Sequence, residues 1–276
     1  MFDACRWDAF EAVCSDSEPV STPGKDTPTW TEEVWCDSAC DWSDVTYISG
    51  NQMVELMQDI DRYDGVLDEH VKETVMTNDL YDREEAIAPS TLVDLADEYD
   101  PPMVLHFLPP HIPFQGDVSL NIDLASYSYT DAIDTDFNEF REAWDAVREG
   151  HVSTDFTRLC YLKNLEHVWL MSHSIRNTDL KVVTTADHGE MLGPDQWGHV
   201  NVEDNQDRVV PFHANWDIEL PDPESVGGAP SHDWTGALPA SGRNLPIDGE
   251  SVMEGVSGAA KEVKAQLARL GYSEFP

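Results

Sequence analysis

Basic residues are scarce in this chain: 16 Lys and Arg stand against 54 Asp and Glu in 276 residues, a formal net charge of −38. With no basic stripe to neutralise phosphates, nucleic acid is excluded as a ligand class. Long apolar runs are also missing. No stretch of about 18 apolar residues exists to form a membrane span, and no charged-then-apolar leader precedes a small-residue cleavage site, so secretion has no support. Paired cysteines are lacking too. Cys5, Cys14, Cys36, Cys40 and Cys160 are odd in number and without C-x-x-C spacing, which excludes a disulfide framework read from spacing. Cys36 and Cys40 could share one helical turn, but two ligands do not close a zinc site. The expected compartment is reducing and cytoplasmic.

What is present argues for a folded core. Apolar residues make up 41% of the chain, and nine Trp and nine Phe supply bulky packing material that disordered acidic segments lack. The negative charge is spread along the chain rather than gathered in a tail. Such self-repulsion is costly at ordinary ionic strength but is screened at 1 M salt, where the Debye length falls to about 3 Å. The composition therefore reads as that of a halophilic protein working in a salt-filled cytoplasm.

Three apolar runs read as buried strands: Asp44–Ser49, Met103–Leu108 and Lys181–Ala186. Helical patterns lie between and beyond them. Phe137, Phe140, Trp144 and Val147 recur at helical steps, with Gly150 suited to a C′ position. Phe156, Leu159, Leu162, Leu165, Val168 and Trp169 form a second pattern. Val256, Ala260, Val263, Leu267 and Leu270 form a third that stops at Gly271. Strands alternating with helices imply an α/β fold, a sheet covered by helices on both faces. From Pro211 to about Gly249 the chain is rich in Pro, Gly, Ser and Asp and reads as a long surface connection. Residues 1–215 are thus expected to form the catalytic α/β domain, and 216–276 an irregular connection and C-terminal helix of the same domain.

The segment that carries chemistry is Lys181–Gly193, KVVTTADHGEMLG. An apolar strand runs straight into Asp187 and His188, and ligands in open α/β sheets gather beyond the carboxyl ends of strands. An adjacent acid and imidazole there can coordinate a divalent ion, with Gly189 giving the turn its freedom. His199 follows at a distance from which a loop can return it to the same place. Leu105–Gly116, LHFLPPHIPFQG, holds His111 between prolines that fix the backbone, as a contact to a substrate anion requires. At the N-terminus, Asp3 and Asp8 flank Arg6.

Together these segments resemble the sulfatase-like branch of the alkaline phosphatase superfamily. The matching pieces are DACRWDAF at 3–10, DVTYISGN at 44–51, HFLPPHIPF at 106–114, TTADHGEMLG at 184–193, WGHV at 197–200 and ARLGY at 268–272. The resemblance implies a central mixed sheet and a phosphate- or sulfate-ester site with a divalent metal beside a hydroxyl or formylglycine nucleophile. It implies Asp3, Asp187 and His188 as metal ligands, with His111 and His199 contacting the transferred group or its leaving oxygen. An imidazole beside the acid favours zinc or manganese, with magnesium or calcium as alternatives. The ligand class is then a small anionic ester.

Two departures from that family shape the expectations. The Cys/Ser-x-Pro-x-Arg signature that supplies formylglycine is absent. In the corresponding place, Val20–Trp30 reads VSTPGKDTPTW, and its Gly-x-x-Thr-Pro-x-Trp pattern makes Thr27 the expected nucleophile, ahead of Thr22 and Ser21. Further, only Met1 and Phe2 precede Asp3, so the family's first strand is expected to be truncated and Asp3 to sit on a frayable terminus. Hence two functions stand at this point: a metal-dependent hydrolase or transferase of phosphate or sulfate esters, and a degenerate, non-catalytic member binding an anion or a partner. Arg158, Tyr161, Lys163 and Asn164 read as surface or packing residues. His106, on a strand whose alternation aims it away from its neighbours, reads as a reserve ligand.

Overall fold

The computed structural model describes residues 1–37, 39–51, 53–54, 57, 67, 70–76, 88–112, 114, 144, 147–148, 150, 154–193, 196–199 and 205–218. The expected C-terminal helix through Val256–Leu270, and all but the first residues of the 216–276 segment, lie outside these. So do Phe137 and Phe140 of the first helical pattern. Trp144 and Val147 of that pattern are helical and buried, and Gly150 has φ +76°, the backbone a C′ glycine supplies.

The architecture is mixed α/β. A parallel sheet is built from β1 (Phe2–Asp3), β3 (Thr46–Ser49), β4 (Glu73–Met76) and β5 (Met103–Pro110), in the order β1-β5-β3-β4. An antiparallel sheet is built from β2 (Glu18–Ser21), β6 (Val183–Thr184) and β7 (Val209–Ala214), in the order β2-β7-β6. The two meet where Ala186, just beyond β6, bridges Phe2 in parallel, with Phe2 N donating to Thr185 O at 2.9 Å. The first strand is therefore short but central, lying between β5 and the end of β6. Asp3 does not fray: its residue is 3% exposed, and Met1 is tied down by its amino nitrogen donating to Leu105 O at 2.6 Å.

Alternation along β3 and β5 divides the core into two layers. Ile48, Leu105 and Phe107 face a large cluster with Phe10 of α1 (Trp7–Val13), Leu92 of α3 (Pro89–Ala96), and Leu162, Leu165 and Val168 of α4 (Thr154–Met171). Tyr47 faces the other way, onto Trp30 and Trp35 of α2 (Thr27–Trp35), with Val54, Leu67 and Val71. Helices thus cover both faces of the parallel sheet. The helix α4 is buried on most of its circumference, with every residue from Cys160 to Leu165 inside, which is why its polar members Lys163 and Asn164 sit in the core rather than on a solvent face. After α4 come α5 (His173–Arg176) and β6, and a 3₁₀ turn at Asn205–Arg208 leads into β7.

Two expectations about elements are corrected. The irregular connection does not begin at Pro211, because Pro211 lies within β7, in register with Pro19 of β2. A proline without an N–H is tolerated there because β6 pairs only with His213 and Ala214 and, among the described residues, no strand pairs with Pro211 on that side of β7. Cys36 and Cys40 do not share a helical turn, since α2 ends at Trp35. Both are free and exposed, whereas Cys5 and Cys160 are free and buried. Among the described residues, no helix is long and apolar enough to cross a membrane.

Candidate metal centre

The site forms at the carboxyl ends of β1, β3, β5 and β6, where several chain reversals meet. Asp3 ends β1, and Ala4 then takes φ +54°, a left-handed backbone that costs a non-glycine residue about 1 kcal/mol. The reversal is held from both sides: Ala4 N donates to Asp187 Oδ1 at 3.2 Å, and Tyr161 Oη donates to Ala4 O at 2.6 Å. Tyr161 also accepts from Arg6 N at 2.9 Å. The packing role expected for Tyr161 is thus a brace for the loop that presents Asp3.

Asp187 and His188 follow β6 and are wholly buried. His188 N donates to Asp187 Oδ1 at 2.8 Å, and Thr22 Oγ1 donates to Asp187 O at 2.6 Å. Gly189 is not at positive φ, so conformational freedom is not what it supplies. A Cβ there would lie 3.1 Å from Asp207 O, the acceptor of the Gly189 N–H. It supplies close approach between the turn and the segment leading into β7.

Thr27 arrives at the same centre as the first residue of α2. Asp26 caps that helix, accepting from Thr29 N at 2.8 Å, and Pro28 fits its first turn. Gly24 lets the preceding loop pass against the helix, because a Cβ there would sit 2.4 Å from Trp30 Cβ. Thr27 Oγ1 donates to Asp187 Oδ2 at 2.8 Å and accepts from Asn51 Nδ2 at 3.1 Å. The same Asn51 amide donates to Asp3 Oδ2 at 2.8 Å. The three hydroxyls weighed from sequence are now separated: Thr27 reaches the carboxylates, Thr22 holds a backbone carbonyl, and Ser21 is exposed.

Asp3, Asp187 and His188 form a cluster whose ligand atoms all lie within 4.8 Å of one another. His188 Nε2 is 3.2 Å from Asp3 Oδ1 and 3.6 Å from Asp187 Oδ2. Both Asp3 Oδ1 and His188 Nε2 are buried without a hydrogen bond of acceptable geometry. His188 Nδ1 donates to Gly189 O at 2.8 Å, which leaves Nε2 as the atom turned to the carboxylates. Atoms this close that do not bond each other converge on a common point. Ligands of a tetrahedral ion with bonds of 2.0–2.1 Å stand about 3.3 Å apart, so the donor set and its spacing fit a divalent metal.

The electrostatics agree. Burial alone would raise the Asp3 carboxyl, but the nearby His111 and His188 rings hold it well below the usual range. Burial would likewise depress His188, yet Asp187 and Asp3 raise it to about 10. In the metal-free protein a proton therefore does part of a cation's work.

His106, the reserve ligand of the sequence reading, lies on the same face as Tyr47 and turns toward the site. Tyr47 Oη lies 2.7 Å from His106 Nδ1, and His106 Nε2 is 3.6 Å from Asp187 Oδ2. Burial lowers its pKa against the opposing pull of Asp187 and Asp3.

His111 and His199 are brought together, with ring centroids 5.3 Å apart, and the His199 ring lies 4.4 Å from that of His188. What they share is Glu190, which sequence reasoning passed over. His199 Nδ1 is 3.2 Å from Glu190 Oε1, and His111 Nε2 is 3.9 Å from Glu190 Oε2. Asn164 Nδ2 donates to His111 O at 3.3 Å, and Arg158 Nε donates to Leu192 O at 2.9 Å, so α4 positions both loops. Asn51, Asp207 and Glu190 are the site residues missed. The quoted segments already contained Asn51 and Glu190, the latter three residues after Asp187. Against known proteins, no family model, curated protein or solved structure matches this chain.

Proposed function

We propose that the chain is a sulfatase-like member of the alkaline phosphatase superfamily: a metal-dependent hydrolase or transferase of small anionic phosphate or sulfate esters, with Thr27 as nucleophile. The observation that carries this reading is the convergence of Thr27 Oγ1 with Asp3, Asp187 and His188. Four residues from three separate parts of the chain bring one hydroxyl against one ligand cluster. Bound there, zinc or manganese would act as a Lewis acid and favour the alkoxide.

The chain's own residues prepare the hydroxyl. Its proton is held on Asp187 Oδ2, which fixes the direction of the oxygen. Asn51 Nδ2 donates to Thr27 Oγ1, so a donor already faces the atom on which negative charge develops. Thr27 also opens α2, where unpaired backbone N–H groups favour negative charge. Access is from the His111 and His199 side: their side chains are 15% and 18% exposed, against 0% for Asp187 and His188. An ester entering there meets imidazoles first and the buried hydroxyl last.

The test is hydrolysis by purified protein in molar salt with zinc or manganese, against an aryl phosphate, an aryl phosphodiester and an aryl sulfate. Turnover of one of these, lost in Asp187→Ala and His188→Ala, is expected. Turnover unchanged in both variants overturns the site, and no turnover of any ester overturns the activity.

A further inference from the structure

Away from the carboxylate cluster, the end of α1 brings a thiol beside two basic side chains. Cys14 closes that helix, its N–H donating to Phe10 O at 2.7 Å and its carbonyl accepting from Ser17 Oγ at 3.3 Å. Its sulfur is free and half-buried, 3.8 Å from His213 Nδ1 on β7. The same Nδ1 donates to Asp16 O at 2.6 Å, so the ring atom nearest the sulfur carries a proton. The His213 ring meets the Trp169 ring edge-on with centroids 5.5 Å apart, and the Arg176 guanidinium lies 3.2 Å from the centroid of that indole. Ends of α1, β7, α4 and α5 thus meet at one partly open point. His213 stands in register with Thr184 of β6, ahead of the turn that carries Asp187, so this point is separate from the candidate metal centre.

Arg176 is held there by neutral groups. Among the described residues its guanidinium donates to Ser172 Oγ at 3.3 Å and to the Trp169 carbonyl, and it stacks on the Trp169 ring. In a chain with 54 acidic and 16 basic residues, a guanidinium whose partners include no carboxylate is a charge kept for something else. Burial lowers its pKa to about 10, and the charge of Cys14 works against that fall. The contact with the Cys14 sulfur is also the largest influence on His213, raising it above the ordinary histidine value while burial opposes. The end of a helix disfavours an anion, so on α1 the imidazole and the guanidinium supply the compensating charge. The other thiols differ. Cys5 and Cys160 are buried, and burial pushes both well up, whereas Cys36 and Cys40 are exposed.

We propose that Cys14 is a site of reversible thiol–disulfide exchange with a low-molecular-weight disulfide, with His213 and Arg176 as the positioning residues that stabilise its sulfur as an anion. The attacking species in such exchange is the thiolate. The Cys14 thiol gives its proton to solvent, and the thiolate attacks one sulfur of R–S–S–R. A bond forms between Cys14 Sγ and that sulfur as the original S–S bond breaks. The other half leaves with the electron pair as R–S⁻ and takes a proton from solvent. Cys14 is oxidised, the departing half is reduced, and excess thiol reverses the exchange. Nothing in this step depends on the ester chemistry.

The chain carries its own comparison thiols. The full-length protein in molar salt is mixed with hydroxyethyl disulfide at neutral pH, quenched in acid over time and digested, and the mixed disulfide at each cysteine is counted by peptide mass spectrometry. Cys14 is expected to react about threefold or more faster than Cys36 and Cys40, although those two are more exposed, and to be restored by excess thiol. His213→Gln and Arg176→Gln are each expected to slow Cys14 by about threefold or more and to leave Cys36 and Cys40 unchanged. Cys5 and Cys160 report folding: a variant in which they react has unfolded, and the other variant together with the wild-type ranking then decides. A wild-type Cys14 no faster than Cys36 and Cys40 overturns the site. A fast Cys14 left unchanged by both substitutions in folded protein overturns it as well, because accessibility alone then accounts for the rate.

Discussion

At the scale of single residues, Thr27 is the sharpest point of the proposed function, which calls on its hydroxyl rather than its bulk. Thr27→Val keeps the shape and removes the hydrogen bonds to Asp187 and Asn51. It is expected to lower kcat by about 10⁴-fold or more, as loss of a nucleophile does, while bound metal stays near the wild-type level. Thr27→Ser retains the hydroxyl and is expected to stay within about 10-fold of wild type. Steady-state kinetics beside metal analysis separates the two. His188 gives a pH signature. Its folded pKa is raised to about 10, above the ordinary histidine value of about 6.5, so its stabilising proton is fully present below about pH 6.5 and is lost as pH rises through 10. A metal must displace that proton. Zinc affinity is therefore expected to climb about tenfold per pH unit between pH 7 and 9, while the melting temperature in chelator falls over the same range. An affinity independent of pH there would show that His188 is not the atom the metal replaces.

At the scale of elements, the site depends on how α2 and α4 are seated. Gly24 lies against Trp30, and a methyl added there would meet Trp30 Cβ at 2.4 Å and its Cα at 2.6 Å. These are backbone-proximal atoms that cannot swing aside. Gly24→Ala is expected to displace the start of α2, costing about 1–3 kcal/mol of stability and lowering kcat by more than that loss explains, since Thr27 moves with the helix. Chemical denaturation beside kinetics checks the pair. Tyr161 plays the matching part from α4: Tyr161→Phe removes its bonds with Ala4 and Arg6. The expected cost is about 1–3 kcal/mol, with weaker zinc binding because Asp3 is presented by that loop.

How far such elements were legible follows from their surroundings. β3 and β5 lie inside the parallel sheet with both faces covered, so they read as continuous apolar runs. Asp26 and Pro28 mark the start of α2, a helix that the three helical patterns of the sequence did not include. β2 and β4 are sheet edges of four residues each, EPVS and ETVM, too short and too polar to carry a period. β7 was read as irregular because its proline is tolerated only where a neighbour is absent, a fact of pairing rather than composition. Among site residues, Asp187, His188 and Thr27 sit at chain signals a sequence displays, a strand end and a helix start. Glu190 and Asn51 matter through partners far away in the chain. For His106, alternation states that neighbours face opposite ways, not which way the site lies.

At the scale of the whole molecule, a net charge of −38 surrounds a site proposed to take an anionic ester. At low ionic strength, about 0.01 M, the Debye length is about 30 Å and the field of the whole surface reaches an approaching ester. At 1 M it is about 3 Å, and only the groups lining the cavity are felt. The surface field would attract the divalent ions that the carboxylates are proposed to hold, so metal loading should gain from low salt, whereas approach of the ester should lose. The two dependences therefore have opposite signs and can be told apart. With metal held saturating, KM for an anionic ester is expected to fall several-fold between 0.1 and 2 M potassium chloride, with kcat changing less, because Thr27, Asp187 and Asn51 are buried beyond the reach of bulk screening. Zinc affinity is expected to weaken over the same range. Folding stability should rise with salt as self-repulsion is screened, which calls for kinetics well below the melting temperature at each concentration. A KM that rises with salt would mean that the ester is drawn in by local positive charge outweighing the surface.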